Sequence, residues 1–263
     1  MGVVNTTPDS FSDGGNFLEP AAAIAHALKL CEDGADILDI GGESTRPGAD
    51  DVPLEIELAR TLPVIEGLRK KGCAAAISID TRKPDVARAA ITAGASIWND
   101  VTALTFAADS LETAASLDCD IVLMHAQGDP KTMQDAPRYD DVVEDVYAYL
   151  ARRMEACVAA GISERRLIVD PGIGFGKTLD HNLSLLARLD RFADLGRSVL
   201  LGASRKRFIA TLDREGPAGE RLGGSLAAVL AGFASGASIF RVHDVPETRQ
   251  ALAVAAAIRA ATP

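Results

Sequence analysis

The sequence predicts a single-domain α/β fold, a (β/α)₈ TIM barrel spanning residues 1–263. Three observations carry this reading. Eight short apolar runs alternate with longer stretches whose apolar residues recur with a period near 3.6, the pattern of strands alternating with amphipathic helices. No Pro/Gly/Ser-rich linker, charge block or low-complexity segment interrupts the alternation, and 263 residues suit one large barrel. The segments after the apolar runs are long and polar while those before them are short. A barrel builds its site from the loops that follow its strands, whereas a doubly wound sheet would satisfy the alternation alone.

In chain order the strands are expected at Gly2–Val4, Ile37–Ile40, Ala75–Ile79, Ser96–Trp98, Ile121–Met124, Leu167–Val169, Val199–Leu201 and Ser238–Phe240. Helices are expected at Ala21–Glu32, Leu54–Lys70, Pro84–Ala93, Asp141–Ala160, Leu183–Arg191, Leu222–Ala234 and Pro246–Ala260, with a weaker one at Ala107–Leu117. Pro20, Pro84 and Pro246 suit first turns, where a missing N–H is not needed. Gly34, Gly72, Gly94 and Gly161 suit helix C-termini.

Composition narrows the function classes. Hydrophobic residues make up 48% of the chain and charged residues 24%, which describes a chain able to bury a core. A net charge of −10 argues against nucleic acid, whose phosphates need a basic face. No apolar run approaches the ~20 residues that cross a bilayer, and the opening MGVVNTTPDS resembles no secretory leader, so a cytoplasmic protein without a membrane partner is expected. Cys31, Cys73, Cys119 and Cys157 form no C-x-x-C pair and are expected to be reduced and structural.

The strand ends carry the chemistry. They read Asn5 with TTPDSFSDGG, then GGESTRPG, Asp80 with TRKP, the Asn99–Asp100 pair, His125 with AQG, Asp170 with PGIGFGK, SRKRF from Ser204, and Arg241-Val-His243. Taken singly, an Asp or Asn here is a helix cap, a turn former or a paired buried group. Polar groups at the same end of nearly every strand point instead to one shared mouth. Arg46, Arg82, Lys83, Lys177, Arg205, Lys206, Arg207, Arg241 and His243 all fall in these loops. Ordinary solvent exposure accounts for about half of them, and the rest suggest an anionic ligand. Arg241 and His243 flank one strand residue, so both project to the same side and can grip a phosphate together.

Several motif classes drop out. Lys177 stands where a dinucleotide fingerprint needs its third glycine, and PGIGFGK lacks the spacing of a Walker A loop. A G-x-S-x-G elbow and the H-x-x-H and H-E-x-x-H spacings are missing too. One hard cation held by carboxylate, amide and ligand phosphate oxygens stays open. The residues alone thus describe a barrel enzyme for a phosphorylated small molecule.

The stretches MGVVNTTPDSFSDGG, DIGGESTRPG, SIDTRKP, Asn99–Asp100, LMHAQGDPKTM, DPGIGFGK, GASRKRF, ERLGGSLA and RVHDV resemble dihydropteroate synthases, in family order from residue 1 to about 250. The resemblance implies condensation of 6-hydroxymethyl-7,8-dihydropterin pyrophosphate with p-aminobenzoate, giving 7,8-dihydropteroate and pyrophosphate. It implies that Asp80, Asn99, Met124, Asp170, Phe175 and Lys206 hold the pterin, with Asp80 and Lys206 as catalytic residues. Asn5, Thr45, Arg241 and His243 would take the pyrophosphate, and Asn5 and Asp13 a Mg²⁺ cofactor. Phe11, Thr45, Arg46 and Pro47 belong by resemblance to two loops that close over p-aminobenzoate, with Arg207 in place of a Ser that meets its carboxylate in some members. Ala210 also departs from a frequent Gly. The family expectation is a homodimer. Two alternatives stay open: another pterin-binding barrel of the methyltetrahydrofolate methyltransferase type, against which STRPG, SRK and RVHDV speak, and a catalytically silent barrel.

Overall fold

A computed structural model of the protein describes residues 1–6, 20–44, 49–128 and 136–261. Its strands are β1 (Gly2–Asn5), β2 (Ile37–Gly41), β3 (Ala76–Asp80), β4 (Ile97–Asp100), β5 (Asp120–Met124), β6 (Leu167–Asp170), β7 (Ser198–Leu201) and β8 (Ile239–Phe240). They form one parallel sheet in sequence order, β1 to β8. A parallel bridge between Gly2 and Val242 joins the last strand region to the first, with Val3 N–H donating to the Val242 carbonyl at 3.1 Å. The sheet therefore closes into the expected barrel, and all eight anticipated strands are present.

The helices among the described residues are α1 (Pro20–Glu32), α2 (Leu54–Lys70), α3 (Pro84–Thr92), α4 (Ser110–Ser116), α5 (Val142–Ala159), α6 (Leu179–Ala187), α7 (Arg207–Leu212), α8 (Leu222–Ala234) and α9 (Val245–Ala260). Two differ from expectation. The helix anticipated at Leu183–Arg191 starts four residues earlier, because Thr178 caps it: its hydroxyl accepts from His181 N–H while the His181 ring accepts from Thr178 N–H. Arg188 then breaks the α-helix, and Leu189–Leu195 continue as a 3₁₀ turn. Helix α7 lies in a stretch read as loop, where burial of Phe208, Ile209 and Ala210 holds a turn and a half of helix in place. The helix-ending glycines behave as foreseen, with Gly34 at φ +98° and Gly72 at φ +74°.

Strand alternation divides the molecule into two apolar regions. Side chains of one parity, among them Leu38, Ile40, Ile77, Ile79, Ile121 and Leu123, pack outward against the helices. Those of the other parity point into the barrel, where Ile97, Val122, Ile168 and Leu200 form a separate apolar floor with Ile37, Ala76 and Ile239. Two residues further along each strand, the same inward parity reaches Asp39, Ser78, Asn99, Met124, Asp170, Gly202 and Arg241. The floor supplies burial, and the next layer carries the polar groups.

Candidate active site

That upper layer surrounds a cavity with about 490 Å³ of empty space, counting its open mouth. Asp80, Asn99, Met124, Asp170, Phe175, Lys206, Arg241 and His243 all line it, together with Gly172, Gly202 and Ser204. Eight of the residues singled out in the sequence thus meet at one place, although they come from six different strands and their loops.

Arg241 is the hub. Its Nε donates to Asp39 Oδ2 at 2.6 Å and its Nη2 to Asp80 Oδ2 at 2.9 Å. Burial works against the guanidinium charge, but the carboxylates of Asp39 and Asp80 more than offset it and raise its pKa further. The reciprocal effect falls on Asp80: burial and the nearby Asp39 push its carboxyl up to about 7, although Arg241 pulls the other way. Asp39 also accepts from the Asn99 side-chain amide, at 3.3 Å to each oxygen, which fixes the Asn99 carbonyl in the opposite direction.

Asp39 lies within an apolar run, Ile37–Ile40, which masks it in the sequence, yet a carboxylate in mid-strand is itself a signal: it is fully buried here, and alternation puts it on the inward side with Gly41. Asp100 errs the other way. It adjoins Asn99 but has outward parity, and its carboxylate accepts from Thr102 N–H and Oγ1, both at 2.7 Å, and from Leu104 N–H at 2.9 Å. It holds the loop after β4 and does not line the cavity.

Asp170 does two jobs. Its Oδ1 accepts from Gly172 N–H at 2.7 Å, the turn-forming role open to any Asp before Pro-Gly, while Oδ2 lies toward Gly202 on the cavity wall. Burial raises its carboxyl to about 6, against the pull of the Gly172 N–H and of Lys206. Gly172 at φ +69° permits the turn, and a Cβ there would stand 1.9 Å from the His125 carbonyl oxygen. Lys206 Nζ lies 4.1 Å from the centre of the Phe175 ring, and burial together with Arg241 lowers its ammonium to about 8. A cation and an aromatic face thus form one wall of the cavity.

His243 borders the same cavity. Its backbone N–H donates to Ser204 Oγ at 3.2 Å, and Ser204 Oγ lies 3.0 Å from His243 Nδ1. Burial, Arg241 and Arg205 lower the imidazole to about 4, which keeps it neutral.

The other basic residues of the strand-end loops are mostly spent on neighbours, which corrects part of the charge argument. Arg82 pairs with Glu43 and Asp51. Lys83 pairs with Glu43 at 3.0 Å and with the fully buried Glu57 at 2.5 Å, and Arg205 pairs with Asp244. Lys177 lies buried behind the Phe175 loop, donating to the Phe175 carbonyl at 2.9 Å and lying 3.0 Å from His125 Nδ1. Burial lowers Lys177 to about 7. Among the described residues Lys206, Arg241 and His243 line the cavity, Arg241 while paired with Asp39 and Asp80, and Arg207, the first residue of α7, is exposed.

Asn5 ends β1 half-buried beside Gly41 and is outside the cavity lining. Phe11, Asp13, Thr45, Arg46 and Pro47 lie outside the described residues. A second, wider cavity, with about 1240 Å³ of empty space counting its open mouth, also borders Phe175 and Val101 and is lined by Glu43, Arg82, Thr102, Phe106 and Tyr149. No helix is long and apolar enough to cross a membrane among the described residues.

Comparison with known proteins agrees with this geometry. Residues 1–243 match the family of pterin binding enzymes. A dihydropteroate synthase of Escherichia coli K12 is 48% identical over 254 residues, covering 97% of this chain and 89% of its own, and one from Neisseria meningitidis serogroup B is 50% identical over 259 residues, covering 97% and 90%. This chain belongs to the dihydropteroate synthase family. The solved Xanthomonas albilineans dihydropteroate synthase with 4-aminobenzoic acid superimposes with a TM-score of 0.93 at 51% identity, over 100% of this chain and 93% of that one. A complex of the Xanthomonas albilineans enzyme with 7,8-dihydropteroate gives a TM-score of 0.89 at 47% identity, over 100% and 93%.

Proposed function

We propose that the protein joins 6-hydroxymethyl-7,8-dihydropterin pyrophosphate to p-aminobenzoate, releasing pyrophosphate and forming 7,8-dihydropteroate for folate synthesis. The observation that supports this most is the arrangement of carboxylates, amide and cations in the layer above the barrel floor. In this reading Asp170 and Asn99 recognise the pterin edge. A carboxylate oxygen accepts from the amino-pyrimidine N–H groups, and the Asn99 carbonyl, turned away from Asp39, takes another donor. Lys206 donates to the ring acceptors, and Phe175 and Met124 cover its faces.

Arg241 and His243 take the pyrophosphate, Arg241 with its charge and His243 with its imidazole. The exocyclic C–O bond breaks first, and its electron pair leaves with the pyrophosphate toward Arg241. The pterin methylene carbon becomes cationic beside Asp80, whose carboxylate stabilises it. The aromatic amine of p-aminobenzoate then attacks that carbon and loses a proton. Preorganised charge of this kind lowers a barrier by a few kcal/mol per well-placed group.

Mg²⁺ fits the rim chemically, because a hard cation takes oxygen ligands and Asn5 offers a carbonyl at the end of β1. Asn5 and Asp13 would hold it, and when bound it would neutralise charge on the pyrophosphate. Thr45 would join the pyrophosphate contacts, and Phe11, Thr45, Arg46, Pro47 and Arg207 would enclose p-aminobenzoate. We also assign the protein to the cytoplasm and to a homodimeric state, which sedimentation tests directly. The activity is tested by pyrophosphate release from the pterin pyrophosphate. The reading expects release that depends on p-aminobenzoate, and release indifferent to it refutes the reading.

A further inference from the structure

At the opposite end of the barrel from the polar layer, two cysteines 42 residues apart in sequence meet, with 3.5 Å between their Sγ atoms. Cys31 occupies the last turn of α1, and its carbonyl accepts from Gly34 N–H at 2.9 Å where the helix ends. Cys73 follows α2: its N–H donates to the Leu68 carbonyl at 3.1 Å, and its carbonyl accepts from Arg69 Nη1 at 2.8 Å. Both backbones are thus pinned in helix-ending turns just ahead of β2 and β3, and both thiols are half-buried. Forming a bond of about 2.05 Å requires each sulfur to move by roughly 0.7 Å, a side-chain adjustment. Cys119 and Cys157 are buried in the core.

We propose that Cys31 and Cys73 are an oxidisable pair that a low-molecular-weight disulfide converts to an intrachain disulfide, clasping α1 to the turn between α2 and β3. Burial and the contact between the two thiols push Cys31 up to about 12. One of the two cysteine sulfurs, its proton given to solvent, attacks one sulfur of the reagent. The reagent's S–S bond breaks, and the departing thiolate takes up a proton. The other cysteine then loses its proton, attacks the first cysteine's sulfur and expels the second small thiol. In balance, two protein thiols are oxidised and one reagent disulfide is reduced to two thiols. The clasp lies at the strand starts and the cavity at the strand ends, so oxidation stabilises the chain and leaves the site unaltered.

The test exposes the native protein to hydroxyethyl disulfide, quenches with acid, and counts thiols after denaturation. The count is expected to fall from four to two, with peptide mapping joining Cys31 to Cys73. The thermal midpoint should rise on the order of 5–10 °C, reversibly with dithiothreitol, at an unchanged rate of pyrophosphate release. In Cys31→Ser and in Cys73→Ser the intrachain disulfide and the rise in midpoint should both be lost. Four persisting thiols, a map that joins other cysteines, chains cross-linked to one another, or an unmoved midpoint would each overturn the proposal.

Discussion

Replacing Asp39 by Asn should move the acidic limb of the pH profile to lower pH. Asp39 and Asp80 sit on neighbouring nitrogens of the Arg241 guanidinium, at 2.6 and 2.9 Å. Carboxylates placed so lie roughly 5 Å apart, where an effective dielectric near 20 gives about 3 kcal/mol of repulsion, or about two pKa units. Burial is the largest cause of the rise that brings Asp80 to about 7, the repulsion from Asp39 adds to it, and Arg241 offsets part of both. Because the proposed role of Asp80 requires its anion, kcat/KM of the wild type should fall as pH drops through about 7. Asp39→Asn keeps an acceptor for Arg241 and removes the negative charge, so the limb should move down by roughly one to two units. The assay is the pH dependence of p-aminobenzoate-dependent pyrophosphate release at low substrate, which reports the free enzyme. A limb that stays in place or moves upward would refute the coupling.

Three further outcomes follow from the same geometry. Asp80 has a folded-state pKa above its ordinary 3.8, so its contribution to stability is fully present below about pH 4 and is lost as pH rises through about 7. Asp80→Asn, which escapes that loss, should therefore melt no lower than wild type at pH 8 while losing most of kcat; a clearly lower melting point at pH 8 contradicts this sign. Arg241→Ala should weaken pyrophosphate binding about 10- to 100-fold by calorimetry, the range for one or two charged hydrogen bonds, and unchanged affinity would remove Arg241 from that role. Gly172→Ala should destabilise the fold by more than about 2 kcal/mol in urea, since its Cβ would meet the His125 carbonyl at 1.9 Å and its φ is +69°. A midpoint equal to wild type would show that the turn relaxes freely.

The architecture was legible because strand and helix periods differ and each element advertises its ends. Pro20 and Pro84 open helices α1 and α3, and Gly34 and Gly72 follow the ends of α1 and α2. The ring of polar residues was legible for a related reason: parallel strands in sequence order carry equivalent positions to one mouth, so Asp80, Asn99, Asp170 and Arg241 needed no contact information to be grouped. What escaped was pairwise. Whether a loop cation is available depends on neighbours distant in sequence, and Arg82 and Lys83 proved to be paired with Glu43, Asp51 and Glu57. Asp100 looked equivalent to Asn99 until parity turned it outward, and Asp39 looked like part of an apolar strand until the same parity turned it inward. The closeness of Cys31 and Cys73 likewise arises only when α1 and α2 pack side by side.

The central claim is that the layer above the barrel floor holds the pterin and presents its pyrophosphate to Arg241 and His243. A crystal structure of the protein with the pterin pyrophosphate and Mg²⁺ tests it most directly. The amino-pyrimidine edge is expected on Asp170 and Asn99, the ring between Met124 and Phe175, and the pyrophosphate on Arg241 and His243. A pterin seated instead in the second cavity, beside Glu43, Arg82 and Tyr149, would contradict it.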